Sequence, residues 1–194
     1  MPGVKYSGRL SDRELAGVLP PAERLAQGPV AVIECVQEIP CNPCEKACPF
    51  GAITVGEDIT ALPVIDRNKC RGCGVCISRC PGLAIFVVDG AYSADEALIM
   101  LPYEYLPLPA AGDEVAALDR DGRPAGRARV VKTNTAAGLD GTAVVTIAVA
   151  KDLINVVRNI RPPGRDKVYI CRCNEVTEAE VRQAVREGAR TVAA

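Results

Sequence analysis

Histidine and tryptophan are absent from this chain of 194 residues, and five Tyr and two Phe are its only aromatic residues. Without histidine there can be no His-ligated Rieske centre, no Cys2His2 zinc site and no imidazole general base. So few rings leave no platform on which single-stranded bases could stack. An excess of one charge is also lacking, with 23 Lys and Arg against 24 Asp and Glu. Neither the basic footprint of a nucleic-acid binder nor attraction to an anionic membrane surface is expected. The uninterrupted apolar runs, 143–145 and 147–150 among them, are all far too short to span a bilayer. Residues 1–29 hold no apolar core flanked by basic residues and no twin-arginine pair, so the expected compartment is the cytoplasm. No G-x-G-x-x-G fingerprint occurs, so neither flavin nor NAD is expected to bind this chain in that way.

What the chain has in excess is cysteine. Eight of its ten cysteines fall between residues 35 and 80, in two blocks that each end in Cys-Pro. In a reducing compartment such cysteines read as metal ligands and not as disulfides. Cys70, Cys73, Cys76 and Cys80 follow the spacing C-x2-C-x2-C-x3-C-P, and Cys35, Cys41, Cys44 and Cys48 follow C-x5-C-x2-C-x3-C-P. A repeat relates the two, since an offset of 32 carries Cys41, Cys44 and Cys48 onto Cys73, Cys76 and Cys80. The same shift aligns Pro49 with Pro81, Ala52 with Ala84 and Ile53 with Ile85. Each half reads as strand, cysteine loop, short helix and strand, with half-buried strands expected at 30–34, 52–55, 63–66 and 84–88. The halves differ at residue 38, where Glu38 stands in place of the first cysteine and Cys35 lies three residues earlier.

The second block matches the cysteine run of bacterial two-[4Fe–4S] ferredoxins without departure, and residues 29–90, about a third of the chain, resemble that family. The resemblance implies crossed ligation, in which three cysteines of one block are joined by the last cysteine of the other. Cluster I would take Cys35, Cys41, Cys44 and Cys80, and cluster II would take Cys48, Cys70, Cys73 and Cys76. A pair of zinc sites is the alternative, but zinc ribbons use separate C-x2-C pairs instead of a duplicated four-cysteine run. Gly72 and Gly74 would let backbone amides approach the inorganic sulfurs, which raises a cluster's potential. The first block, with Asn42 and Pro43, offers fewer such amides.

The remaining segments give an α+β chain. Residues 1–28 form an N-terminal arm, with a capping box at Ser11 and Glu14 starting a helix over 12–18. Pro21 suits the first position of a second short helix ended by Gly28. Residues 91–165 read as a small antiparallel sheet or barrel of about four strands, with turns at Gly122 and Gly141, and then a helix over 151–158. Asp113, Glu114, Asp119 and Asp121 suit solvated turns and edges, and no catalytic constellation is apparent. This segment reads as a docking module. In residues 166–194, Cys171 and Cys173 precede a helix capped by Thr177 and Glu180. That pattern resembles the start of a bacterioferritin-associated-ferredoxin-like [2Fe–2S] module, whose second cysteine pair is missing here. Cys171 and Cys173 are therefore expected either as free thiols or as two ligands of a [2Fe–2S] site completed from elsewhere.

The order of arm, ferredoxin-like domain, β module and Cys-x-Cys segment resembles the small iron–sulfur subunits of flavin-dependent amine and amino-acid dehydrogenase complexes of the proline, hydroxyproline and sarcosine type. The resemblance implies a non-catalytic electron-transfer subunit of a hetero-oligomer. Two [4Fe–4S] clusters would relay single electrons between a flavin-containing dehydrogenase subunit and an acceptor. A free diffusible ferredoxin and a structural or regulatory iron–sulfur protein are the alternatives. The unequal cysteine loops predict unequal potentials, so redox titration followed by EPR should resolve two waves. A single unresolved wave would count against this.

Overall fold

The computed structural model describes residues 3–4, 8–139, 141–161, 169–171 and 176–190. Strands and helices are numbered separately in chain order. Four consecutive apolar residues form β1 (Val30–Ile33), and all four are buried. Antiparallel strands commonly hide one face and leave the other to water. This one hides both. It pairs antiparallel with β4 (Ile85–Asp89), placing Val30 opposite Val88 and Ile33 opposite Ile85. Alternate side chains leave a strand on opposite sides, so Val30, Val32, Phe86 and Val88 enter one core while Ala31, Ile33, Ile85 and Val87 enter another. Of the strands expected to be half-buried, β1 and β4 are thus buried on both faces, because each face has its own layer to pack on.

The first core belongs to a larger sheet. Strands β5 (Glu96–Tyr103), β6 (Glu114–Leu118), β7 (Pro124–Asn134), β8 (Ala143–Ala150) and β9 (Asn159–Ile160) extend it in the order β1-β4-β5-β8-β7-β6-β9. Every neighbouring pair is antiparallel. In β5 burial alternates strictly, with Ala97, Ile99, Leu101 and Tyr103 facing the core. The sheet runs across residue 90 and joins strands from both sides of it. At the β6–β7 turn Gly122 takes φ +74°, and the Asp119 carboxylate accepts the amide N–H groups of Asp121 and Arg123. A mostly antiparallel sheet with a few short helices makes the protein α+β.

One core contains residues from all seven strands, so the sheet curls and brings its two edges together. Side chains make that junction. Glu34, directly after β1, accepts from Arg120 Nη2 at 2.6 Å and Nε at 2.9 Å, and from Arg158 Nε at 2.5 Å. Arg120 follows β6 and Arg158 precedes β9. Burial alone would push the Glu34 carboxyl up, but the two guanidiniums outweigh it and hold it below the usual carboxylate range. The Arg158 guanidinium also lies 5.2 Å from the centre of the Phe86 ring on β4.

These arginines account for a difference from the helix expected over 151–158. Only a 3-10 turn, Lys151–Leu153, forms there. Arg158 Nη1 donates to the carbonyls of Ile154 and Val157, and Arg120 Nη1 to that of Asn155. The Ile154 carbonyl, which the Arg158 N–H would bond in a helix, accepts the Arg158 side chain instead, and that N–H donates to the Leu118 carbonyl at 2.9 Å, while Ile154 and Val157 turn into the core.

In the arm, α1 (Asp12–Val18) carries the expected capping box of Ser11 and Glu14. The second helix, α2 (Ala22–Leu25), has Pro21 as its N-cap and ends at Ala26, before Gly28. Arg24 of α2 reaches out instead, donating to the carbonyls of Gly28, Pro29, Arg67 and Cys70. Arg67 returns the contact through the carbonyls of Val18 and Leu19. At the C-terminal end β10 (Tyr169–Cys171) pairs with β11 (Val176–Thr177), and Thr177 and Glu180 cap α5 (Glu178–Arg186). Cys173 lies outside the described residues.

Removing one partner from a buried ion network leaves uncompensated charge, at a typical cost of about 3–5 kcal/mol. Glu34→Ala should therefore lower stability by about that much in urea unfolding, and a change below about 1 kcal/mol would show that Glu34 does not hold the sheet edges together.

Candidate metal centre

Behind the β1–β4 wall, each cysteine loop leads into a helix of one turn. Pro43 opens α3 (Pro43–Ala47), where the missing amide hydrogen costs nothing because first-turn amides have no intrahelical partner. Gly74 caps α4 (Val75–Ser78) with φ +79°. Cys44 and Cys76 sit on these helices, and Cys48 and Cys80 follow their ends. Two short strands, β2 (Ile53–Thr54) and β3 (Val64–Ile65), pair with each other across the repeat. The first strand of one half thus pairs with the last strand of the other, and the two inner strands pair together.

This interlocking sorts the thiols across the blocks. Cys35, Cys41, Cys44 and Cys80 line one cavity, together with Ile33 and Ile85 of the wall. Cys48, Cys70, Cys73 and Cys76 line a second, together with Ala31 and Val87 of the same wall. The electrostatics divide the same way. Burial pushes the Cys35 and Cys44 thiols up, and the nearby Cys80 and Cys41 add to the shift. Burial pushes Cys76 up to about 12, with Cys70, Cys73 and Cys48 adding to it. Cys35, Cys44 and Cys76 are therefore poor nucleophiles as thiols. They become ligands when a bound metal displaces the proton.

The donor set suits a polynuclear group better than a single ion. A zinc ion holds four thiolates at about 2.3 Å from one point. Among the described residues, no three of His, Cys, Asp or Glu gather in a way that could hold a single ion. The four-thiol sets instead surround apolar cavities, as an iron–sulfur cluster with thiolates on its corners requires.

The repeat extends to backbone donors. Ala52 N–H donates to Cys48 Sγ at 3.2 Å, and Ala84 N–H donates to Cys80 Sγ at 3.4 Å. Each bond follows a turn closed by Gly51 N–H to the Cys48 carbonyl or by Leu83 N–H to the Cys80 carbonyl. Gly51 takes φ +58° and Leu83 takes φ +51°. The second half thus places leucine where the first has glycine, at a backbone cost of about 1–2 kcal/mol. A third donor, Ala31 N–H of β1, reaches Cys70 Sγ at 3.4 Å.

Gly72 and Gly74 are held by close packing as well as by their positive φ. A Cβ on Gly72 would lie 2.4 Å from Pro29 Cβ and 2.7 Å from its carbonyl carbon. One on Gly74 would meet Met100 Cε at 3.0 Å. Sequence reasoning missed Arg24, whose guanidinium fastens Pro29 and Cys70 together, and Glu34, whose partners lie far along the chain. A charge closing an otherwise apolar strand was the only available signal for Glu34. Of the C-terminal pair, Cys171 ends β10 and Cys173 falls outside the described residues.

Residues 35–84 match the model of the 4Fe-4S dicluster domain, and residues 169–194 match that of the BFD-like [2Fe-2S] binding domain. The chain is 51% identical over 47 residues to a subunit of the ion-translocating oxidoreductase complex of Methanosarcina acetivorans, covering 24% of this chain and 17% of the relative. It is 50% identical over 48 residues to a subunit of the Na(+)-translocating ferredoxin:NAD(+) oxidoreductase complex of Acetobacterium woodii, covering 25% and 14%. With the polyferredoxin-like subunit of the aliphatic sulfonate oxidoreductase of Pyrococcus furiosus it shares 46% over 48 residues, covering 25% and 27%. The chain thus spans between 14% and 27% of the length of these relatives. No solved structure matches the chain significantly. The shared part is an iron–sulfur ferredoxin segment of the kind found in subunits of oxidoreductase complexes, which supports an electron-transfer role. Among the described residues no helix is long and apolar enough to cross a membrane.

Gly72→Ala should combine the left-handed strain of about 1–2 kcal/mol with the collision against Pro29, lowering the thermal midpoint and the iron retained by the second thiol set. Gly82→Ala is the control, because its Cβ would meet nothing within 4 Å. Equal behaviour of the two variants would show that the approach to Pro29 does not matter.

Proposed function

We propose that this chain is the electron-transfer subunit of an oxidoreductase complex, with two [4Fe–4S] clusters held by crossed ligation. Cys35, Cys41, Cys44 and Cys80 would hold cluster I, and Cys48, Cys70, Cys73 and Cys76 would hold cluster II. The observation that carries this reading is the pair of four-thiol cavities, each drawing its fourth cysteine from the opposite block. When bound, each cluster supplies a site that takes up and releases one electron at a time.

The chain's own residues do the rest. Ile33, Ile85, Ala31 and Val87 wall the sites with apolar side chains and keep water from the thiolates. Ala52, Ala84 and Ala31 amides donate to ligand sulfurs, which stabilises added negative charge there. Cys73 is exposed while Cys76 is buried, so the second set reaches the surface along one edge.

The partner we propose is a flavin-containing dehydrogenase subunit of the amine or amino-acid type in a hetero-oligomer. The order of segments supports this, as does the seven-stranded sheet, which is far larger than ligand placement requires. Cys171 and Cys173 would supply half of a [2Fe–2S] site whose other ligands come from outside residues 169–194, a reading supported by the BFD-like match.

Anaerobically purified protein should carry roughly eight iron atoms in its two four-iron clusters. Cys76→Ser and Cys35→Ser should each remove about half of that iron and a different EPR signal, because an alkoxide is a poor replacement for thiolate. Unchanged iron content in both variants would overturn the ligand assignment. In native extract the chain should migrate in a complex with a flavoprotein, and migration as a monomer would favour a free ferredoxin.

A further inference from the structure

The repeat provides an internal comparison of the two sites. Glu34 N–H donates to the Ala84 carbonyl at 2.8 Å, and Ala84 N–H donates to Cys80 Sγ. At the offset of 32, Asp66 N–H donates to the Ala52 carbonyl at 2.8 Å, and Ala52 N–H donates to Cys48 Sγ. An acidic residue therefore stands at the same point behind each thiol set, with its peptide one step from a ligand sulfur. The backbone is duplicated. The surroundings of the two carboxylates are not.

Asp66 has a side chain 44% exposed, accepts the amides of Asn68 and Lys69, and pairs loosely at the surface with Lys69 Nζ at 3.7 Å. Glu34 is 6% exposed and shares its charge between Arg120 and Arg158, which are 14% and 4% exposed. One carboxylate thus faces two guanidiniums, and arginine does not give up its proton in proteins. Arg158 Nη2 is buried and finds no hydrogen-bond partner among the described residues. Arg9 is paired with Asp121. Asp119 lines the same cavity and keeps its charge while accepting two backbone amides, but among the described residues it forms no ion pair with Arg120 or Arg158. Glu34, Arg120 and Arg158 line one cavity together with Cys35 and Ala84.

A buried positive surplus is costly unless a negative group lies nearby. One such group beside the same cavity is the thiolate set that Cys35 opens, which carries net negative charge when loaded and gains more on reduction. We infer that Arg120 and Arg158 are positioning residues that raise the reduction potential of the Cys35 site, leaving the Cys70 site untouched. The buried surplus favours the more negative, reduced state of the nearer site, and Glu34 anchors both arginines to Ala84, whose N–H bonds Cys80 Sγ. This inference rests on the two-cluster reading.

The test is a potentiometric titration of the loaded, full-length protein, with the wave of the Cys35 site identified as the one that Cys35→Ser removes. Arg158→Gln and Arg120→Gln each cancel the surplus without stranding Glu34. Each should move that wave to more negative potential and leave the other in place, while Arg158→Lys, which keeps the charge, should restore it. Should Arg158→Gln fail to fold, Arg120→Gln decides, since that side chain is the less buried of the two. Unmoved waves, or equal movement of both, would overturn the inference while leaving two-cluster loading intact. A wild-type protein with less iron than two clusters need would overturn both readings together.

Discussion

The β1–β4 ladder must be buried on both faces, and the organisation of the molecule follows from that requirement. Its outer residues, among them Val30, Val32 and Val88, seal a curled seven-stranded sheet, while Ala31, Ile33, Ile85 and Val87 close the thiol cavities. A two-stranded ladder standing alone is marginally stable in water. Here the large sheet holds it on one side, and the ladder in turn supplies a rigid apolar wall to loops that have little regular structure. The thiol cavities therefore draw rigidity from a core whose buried residues include none of the eight cysteines, with Cys70 packed against it.

The curled sheet has its own requirement, which is that its edges be joined. Strands β1 and β9 are not paired by backbone, and the gap is bridged by Glu34, Arg120 and Arg158. A buried ionic junction is seldom more stable than an apolar one of similar size. Its presence at this position invites an explanation beyond stability, and its closeness to Cys35 offers one. Arg158 also gives its side chain to the Ile154 carbonyl and its N–H to the Leu118 carbonyl, so closing the sheet withdraws the bond that a helix over 151–158 would make there.

Between the two cysteine halves the departures are as informative as the agreements. The turns after Cys48 and Cys80 share hydrogen bonds and positive φ at the same place, yet one uses Gly51 and the other Leu83. The sulfur-bonding amides of Ala52 and Ala84 are equivalent, whereas the Asp66 and Glu34 side chains meet opposite environments. Duplication has preserved what geometry needs at each site, and the residues around each have diverged in charge and exposure.

Sequence alone was enough to locate features whose partners lie a few residues apart. The cysteine spacing, the capping boxes at Ser11 and Thr177, the Gly122 turn and the repeat are all local, because thiols on one loop and caps on one turn are set by neighbouring residues. The displaced Cys35 was legible for the same reason. Burial of β1 on both faces was not, since a short apolar run reads alike whether one face or two are covered. Nor was the Glu34 junction, whose partners stand 86 and 124 residues away. Only the curl of the sheet brings those residues together. The tertiary structure alone therefore decided that the sheet and the cysteine halves share one wall, and that just one of two equivalent acidic residues is enclosed by arginines.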